Sequence, residues 1–494
     1  MKNTLPIIAF LSILFFAASC SDDFLEQPPR SALTVGSFPA TPDDAFLAIN
    51  AAYNINRTWQ IATGGYPILD FMADDLVKGS NPGDGIDVAV YQNFTHTPTE
   101  ISAERWYKTV YEGIRRANLV ITVVPDIEMD NVLRDRYVAE ARFLRAYHYS
   151  SLVRGYGAVP KVTQIDPPLT LGRTEVQEIL DEIVYPDLEF AISILPERSE
   201  YAPEDLGRAT KGAARGILAR TKLFYGEFQD VEALTQDIIE SNEYDLVPDF
   251  SEIFPEANEF NQESIFEISA RVGEFNDGGN QYGNTVGVRG SPNKGWGFGR
   301  PAYSWIIEME DQEDPRLEPS ILRLGEVIDG ITIAGDASTP DETIIDGEIV
   351  EIEVYIQKTW MPGADGLTSW GHNRRIIRYA DILLMHAEAL NENGKTPEAL
   401  TFLNSIRARA RGDNSGVLPD ITVTGKAAVR DAILEERKYE LAFENRRFWD
   451  LVRTGKAAEV LGPFGFIAGK NELLPIPQSE IDVSQGRITQ NPGY

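Results

Sequence analysis

What most limits how this chain can fold is the placing of its apolar residues: two long zones repeat them every three to four positions, and the zone between does not. Residues 131–154 carry Leu133, Tyr137, Ala141, Leu144 and Tyr147 at helical spacing, and Gly155, Gly157 and Pro160 then stop the helix. Residues 43–56 open on Thr41-Pro42-Asp43-Asp44, a favourable helix start, with Phe46, Ile49 and Tyr53 as the apolar face. Helices are also predicted over 104–124, 174–195, 208–226 and 230–241. The segment 208–226 is rich in small residues (Gly212, Ala213, Ala214, Gly216, Ala219), which suits an inner helix. After the middle zone the pattern returns over 376–393, 397–411, 426–444 and 446–453. Gly394-Lys395-Thr396 leaves so short a turn that its two helices must form an antiparallel hairpin. Hairpins that bury faces on one another predict a mostly α, TPR-like scaffold of helical pairs over 43–243 and 376–455, although no strict period of about 34 residues is present.

Between them, about 244–375, lies a loop-rich part with short β-strands. Residues 264–270 read as a strand. Asp346-Gly347 reads as a hairpin turn, because that pair tolerates positive φ. Val350, Ile352, Val354 and Ile356 then alternate with Glu351, Glu353, Tyr355 and Gln357, which predicts a half-buried strand. Glycine-rich stretches surround these, Asp277-Gly278-Gly279-Asn280 and Gly295-Trp296-Gly297-Phe298-Gly299 among them. No Pro/Gly/Ser-rich linker divides the chain, so 43–494 is expected to be one domain, with 456–494 as its tail.

The N-terminus carries a different message. Met1-Lys2-Asn3 is short and basic, Leu5 to Ala18 is apolar apart from Pro6 and Ser12, and small residues Ala17-Ala18-Ser19 precede Cys20. The apolar run falls short of the roughly 20 residues that span a bilayer. Residues 1–19 therefore read as a lipoprotein signal, with Cys20 acylated and 20–42 as a tether. The plainer alternative is a secretory signal cleaved near Ala18. Cys20 is the only Cys in 494 residues, so no internal disulfide can form. Ser21-Asp22-Asp23 reads either as a solvated acidic tether or as an export signal to the outer surface. A formal charge of −31 argues against a nucleic-acid partner.

Motifs for chemistry are weak. Gly394-Lys395-Thr396 lacks the strand and the first glycine of a phosphate loop, and Gly295-x-Gly297-x-Gly299 lacks the setting of a dinucleotide loop. His96, His148, His372 and His386 do not pair at metal-ligand spacing, so neither a metal nor a cofactor is expected. Asn81-Pro-Gly-Asp-Gly-Ile-Asp87 leaves calcium open, against the simpler reading of a solvated acidic loop. Asp74-Asp75 and Glu435-Glu436 are the tempting carboxylate pairs, but neighbours on one element do not flank a scissile bond. Glu435, Glu436, Arg437, Glu440, Glu444, Arg446 and Arg447 read better as an ion network. The aromatics outside the helices say more: Trp59, Tyr66, Trp296, Phe298, Tyr303, Trp360 and Trp370, several beside glycine. Indoles in loops can stack on a sugar ring while polar neighbours take its hydroxyls, and Asp70, Arg300, Asn373 and Arg374 are available for that. The competing reading is that each aromatic plugs a local minicore. Trp305, before Ile306-Ile307, is assigned to the core.

Taken together, several stretches resemble the SusD/RagB family of outer-membrane nutrient-binding lipoproteins. They are Cys20-Ser-Asp-Asp-Phe-Leu, Ala51-Ala-Tyr53, Ala139-Glu-Ala-Arg-Phe-Leu-Arg-Ala-Tyr-His148 through Tyr156-Gly-Ala-Val-Pro160, Arg208-Ala-Thr-Lys-Gly-Ala-Ala214, Asp314-Pro-Arg-Leu317, Ile377-Arg-Tyr-Ala-Asp-Ile-Leu-Leu-Met-His-Ala-Glu-Ala389, Glu435-Glu-Arg-Lys-Tyr-Glu-Leu441 to Arg447-Phe-Trp-Asp-Leu451, and Gln490-Asn-Pro-Gly-Tyr494. The resemblance implies a right-handed helical scaffold and a lipid-anchored protein on the outer membrane, facing out. It implies a partner, a SusC-like TonB-dependent transporter, to which oligosaccharide is delivered without chemistry. An oligopeptide cargo, a lipid-anchored glycosidase and a TPR-type adaptor without ligand are the alternatives. The matching stretches lie mostly on scaffold helices, so the resemblance does not select the ligand residues.

Overall fold

The computed structural model describes residues 38–58, 60–61, 70–168, 170–271, 279–292, 294–336, 342–345, 348–351, 353–361 and 370–494, with backbone alone between 342 and 351. The signal, Cys20 and most of the tether, with Trp59, Tyr66 and Asp277-Gly278, lie outside these residues.

The helices form where caps and periodicity place them. α1 (Pro42–Asn54) starts on a capping box: Thr41 Oγ1 accepts from the Asp44 N–H at 3.2 Å, and Asp44 Oδ2 accepts from the Thr41 N–H at 3.1 Å. Its buried face is Ala45, Ala48, Ile49 and Ala52, whereas Phe46 is 43% exposed and Tyr53 is half-buried. The apolar face expected from Phe46 is thus turned by the alanines, which pack closest to α2 (Ile101–Val123). α3 (Asn131–Tyr156) is capped by Asp130, which accepts from the Leu133 N–H at 2.9 Å, and ends at Gly157 with φ +71°. The next predicted helix is interrupted: Val176–Ile179 is α-helical, Leu180–Val184 widens into a π turn, and α4 (Tyr185–Ile194) follows. Pro186 has no N–H for the carbonyl one turn back, which favours the wider turn just before it.

α5 (Lys211–Phe224) and α6 (Phe228–Glu240) form the next pair, then α8 (Tyr379–Glu392) with α9 (Thr396–Arg411), and α10 (Lys426–Glu440) with α11 (Arg447–Arg453), α7 (Tyr303–Asp311) lying in the loop-rich part. Successive pairs pack on one another: α2 on α3, α3 on α4, α4 on α5, α5 on α6, α6 on α8, and α8 on α9 and α10. One continuous core runs from Ala45 to Ile488 through all the scaffold pairs. The small residues of α5 do allow close approach: a side chain at Gly216 would come within 2.9 Å of Ile377 Cδ1.

The loop-rich part is a set of two-stranded antiparallel ribbons. β1 (Leu76–Gly79) pairs β3 (Phe298–Pro301), β2 (Ser264–Ile268) pairs β6 (Arg374–Arg378), and β4 (Ile321–Arg323) pairs β5 (Val354–Ile356). Glu342–Ile345 and Glu348–Glu351 pair antiparallel, and the Asp346-Gly347 turn expected between them lies outside the described residues. Two expectations are corrected. Residues 376–378 belong to β6, not to the following helix, because β2 offers them a ladder and Ile376 and Ile377 are β-branched. The strand expected over 350–357 is split, and Val354, Tyr355 and Ile356 are all buried. Val354 and Ile356 enter a core with Trp305 and Met309, while Tyr355 points to the other side, among Val288, Leu322, Ile333 and Trp360.

Ion pairs fasten this part to the scaffold. Arg316, fully buried, donates to Asp314 Oδ2 at 2.6 Å, Glu436 Oε1 at 2.6 Å and Glu440 Oε2 at 2.9 Å. Arg378 donates to Glu263 and Glu440 at 2.6 Å each and to Glu444 Oε2 at 2.8 Å. Arg409 joins the same Glu263 and Glu440. Burial alone would raise the Glu440 carboxyl, but Arg409, Arg378 and Arg316 hold it well below the usual range. Arg437 sits between Asp381 and Asp450 at 2.8 Å from each. The network expected on α10 is therefore real but reaches much further than its own helix.

Candidate ligand-binding face

The glycine–aromatic run leads into β3, which pairs β1 in a ribbon whose residues are buried or half-buried. Val77 faces Arg300, Gly79 faces Phe298, and the Ser80 N–H donates to the Gly297 carbonyl at 2.6 Å. Its glycines answer to close approach. A side chain at Gly295 would lie 2.6 Å from the Gly287 carbonyl, and one at Gly297, where φ is +68°, 2.9 Å from Arg289 Cβ. Trp296 and Phe298 are both half-buried. Lys78 Nζ lies 5.8 Å from the centre of the Phe298 ring and donates to the carbonyls of Asp84 at 2.6 Å and Asn81 at 3.1 Å. Burial draws Lys78 below its ordinary value, aided by Arg300 and Arg289.

Beside the rings, Arg289 bridges Asp84 and Asp336, and its Nη1 donates to Ser80 Oγ at 2.7 Å. This uses Asp84, one of the two carboxylates of the loop that left calcium open. Among the described residues no group of three or more His, Cys, Asp or Glu is placed to hold a metal ion. The face thus offers two rings, a cation and a fixed charge cluster on a rigid ribbon, which is what stacking on a sugar ring and bonding its hydroxyls require.

The other expected residues are placed differently. Tyr303 is the first residue of α7 and is half-buried. Trp370 is 1% exposed and lies across Gly283 and Gly287, where added side chains would come within 2.7 and 2.5 Å of its ring. Trp360 is 8% exposed and donates through Nε1 to Asp329 Oδ2 at 2.7 Å. Asn373 is 1% exposed, accepts from the Ala270 N–H at 2.7 Å and donates to Glu267 at 2.9 Å. In this structure those three are packing groups with almost no surface to present. Asp70 is also buried; Tyr282 donates to it at 3.2 Å, and burial, only partly opposed by Arg374, pushes its carboxyl up to about 7. Arg300 is buried under the ribbon, and Arg374 lies over the Tyr282 ring at 4.2 Å. Trp305 is in the core, its ring 4.7 Å from that of Phe443.

One acid of each tempting pair is committed to arginine. Arg447 grips Asp74 with two hydrogen bonds, of 2.6 and 2.9 Å, and Glu436 is held by Arg316 and Arg407. A separate recess of about 250 Å³, which the sequence reading did not anticipate, opens between the last turn of α1, the segment 204–208 and the end of β2. Its one sequence signal is the pair of asparagines, Asn50 and Asn54, set one turn apart on α1.

Comparison with known proteins now completes the picture. A profile described as "SusD family" matches residues 262–494, and one described as "Starch-binding associating with outer membrane" matches residues 73–223. The curated SusD-like protein P2 of Formosa agariphila is 28% identical, with 99% of each chain covered. Among solved structures, a laminarin-binding SusD-like protein is 30% identical, covering 92% of this chain and 100% of its own, with a TM-score of 0.77. Surface glycan-binding protein A from Bacteroides thetaiotaomicron, solved with laminarihexaose, is 25% identical over 92% of this chain and 100% of that one, with a TM-score of 0.76. Most of the stretches that carry the resemblance in the sequence also carry buried charge. Arg316, Arg378, Asp381, Glu436, Arg437, Glu440 and Asp450 all sit in the paired network, as Glu140 and Arg208 do in a pair of their own at 2.8 Å. The chain belongs to the SusD family.

Proposed function

We propose that this protein captures an oligosaccharide on the face that carries Trp296 and Phe298 and passes it to a transporter without altering it. The observation that carries the reading is the likeness, over 92% of the chain, to proteins named for binding laminarin and laminarihexaose. Two half-buried rings beside a braced ribbon supply a surface of the right chemistry. In this reading Cys20 is acylated, the chain is held at the outer membrane facing out, and a SusC-like TonB-dependent transporter is the partner. Among the described residues no helix is long and apolar enough to cross a membrane, which fits an anchor supplied by lipid. Trp59, Tyr66 and Tyr303 are proposed as further ligand contacts.

Calorimetric titration against a panel of neutral and acidic oligosaccharides tests the function. Measurable binding to at least one of them is expected, weakened about tenfold in Trp296→Ala through lost stacking. Absence of binding across the panel by folded protein would overturn it. For the partnership, affinity purification of the membrane form should recover a TonB-dependent transporter, and recovery of the protein alone from gently solubilised membranes argues against it.

A further inference from the structure

The recess of about 250 Å³ beside α1 is built differently from the aromatic ribbon. Asn50, Tyr53 and Asn54 project from the last turn of α1, Arg57 follows them, Glu204 and Leu206 form the opposite lip, and Ile268 and Ser269 form the floor. Gly207, with φ +95°, keeps that floor clear: a side chain there would come within 2.3 Å of Ser269 Oγ.

The polar groups divide into those already committed and those left over. Arg208 donates to Glu140 at 2.8 Å, Asp205 at 2.9 Å and Asn50 Oδ1 at 2.9 Å, and its guanidinium lies 5.8 Å from the Tyr53 ring. Tyr53 Oη accepts from the Ala209 N–H at 2.9 Å, which fixes the ring. Glu267 is taken up by Asn373, Arg375 and the Phe260 N–H. With its oxygen occupied by Arg208, Asn50 has only its amide N–H groups to offer. The Asn54 amide, the Glu204 carboxylate and the Ser269 hydroxyl have no partner among the described residues. One fixed aromatic edge, two amides one turn apart, a carboxylate and a hydroxyl thus line a recess whose charged residues, Arg57 and Arg208 with Glu204 and Glu267, balance.

We infer that this recess is a second binding site, for one uncharged pyranose ring. The amides and the carboxylate bond neighbouring hydroxyls, while Tyr53 and Leu206 meet the apolar edge of the ring. Its volume falls below the about 300–1,000 Å³ of pockets that enclose drug-sized ligands, so it holds a single ring and not a chain. The proposal rests on the reading of the protein as glycan-binding, yet it involves none of the ribbon residues.

The test is titration of the folded protein with laminarihexaose, followed by a crystal soaked in it. Asn54→Ala with Glu204→Ala removes two exposed side chains, so the melting temperature should stay unchanged. Loss of two hydrogen bonds should weaken binding, or abolish a second binding step, by about tenfold. Density for one sugar ring against Asn54 and Glu204 is expected in the soaked crystal. Unchanged binding in the double variant together with an empty recess overturns the inference and leaves the proposed function standing. No binding by the unaltered protein, to this or any glycan, overturns both. Tighter binding of an acidic oligosaccharide of equal length, lost in Arg57→Ala, overturns the assignment to an uncharged ring.

Discussion

Replacing Trp370 by alanine removes a ring that fills the space over Gly283 and Gly287, and neither glycine has a side chain to fall into the gap. A loss of about 3–5 kcal/mol in urea unfolding is expected, as for other fully buried aromatics, while Trp296→Ala should change stability far less and ligand affinity far more. Equal effects of the two on stability would contradict the placement of both. Asp70 gives a pH signature. Its carboxyl, pushed up to about 7 by burial, is favoured in its protonated form by the fold. That contribution is complete below the unfolded value near 4 and is lost as pH rises through about 7. Asp70→Asn keeps an acceptor for Tyr282 and cannot ionise, so its melting temperature relative to the parent should climb between pH 4 and pH 8. A difference that stays flat across that range would show that Asp70 is ionised in the fold. Neither fact was legible beforehand. A tryptophan beside glycine reads equally well as a stacking platform or as a plug, and what decided Trp370 was a pair of glycines in a distant segment. Asp70 read as a partner for sugar hydroxyls because nothing in its own neighbourhood announces that Tyr282 and Arg374 bury it.

Helices could be read from the chain because their causes are local: Thr41 with Asp44, Asp130, Gly157 and Gly394 each act within a turn of where they stand. β6 could not, since its ladder partner β2 lies more than a hundred positions earlier, and the helical spacing of α8 ran back over it. The charges of α10 were visible too, but their partners on Asp314-Pro-Arg316, on β6 and on α9 were not. Those partners decide what a substitution does. Glu440→Gln leaves Arg316, Arg378 and Arg409 facing one another in a buried site, and unfolding free energy should fall by about 3–5 kcal/mol. Since these arginines hold Glu440 well below the usual carboxylate range, its contribution is present above about pH 4 and is lost on acidification. The variant and parent should therefore converge in stability toward low pH. Divergence there would mean that the network is not what stabilises this junction.

The molecule as a whole is strongly acidic, with a formal charge of −31, while its expected cargo is neutral. Charge then has little to say about cargo capture: affinity for laminarihexaose should be nearly constant between 50 and 500 mM salt, values chosen to take the screening length from about 14 Å to about 4 Å. Binding of a basic peptide that falls steeply over the same salt range, with none of laminarihexaose, would point to a cationic cargo instead. The buried network has a further consequence, for synthesis. Glu263, Arg316, Arg378, Arg409 and Glu440 come from five separate stretches, and each needs the others before it can leave water. A nascent chain that has not yet made α10 lacks Glu440, so the arginines that meet it cannot all be paired and this junction stays open. The seam between the loop-rich part and the scaffold therefore closes only once α10 has been made.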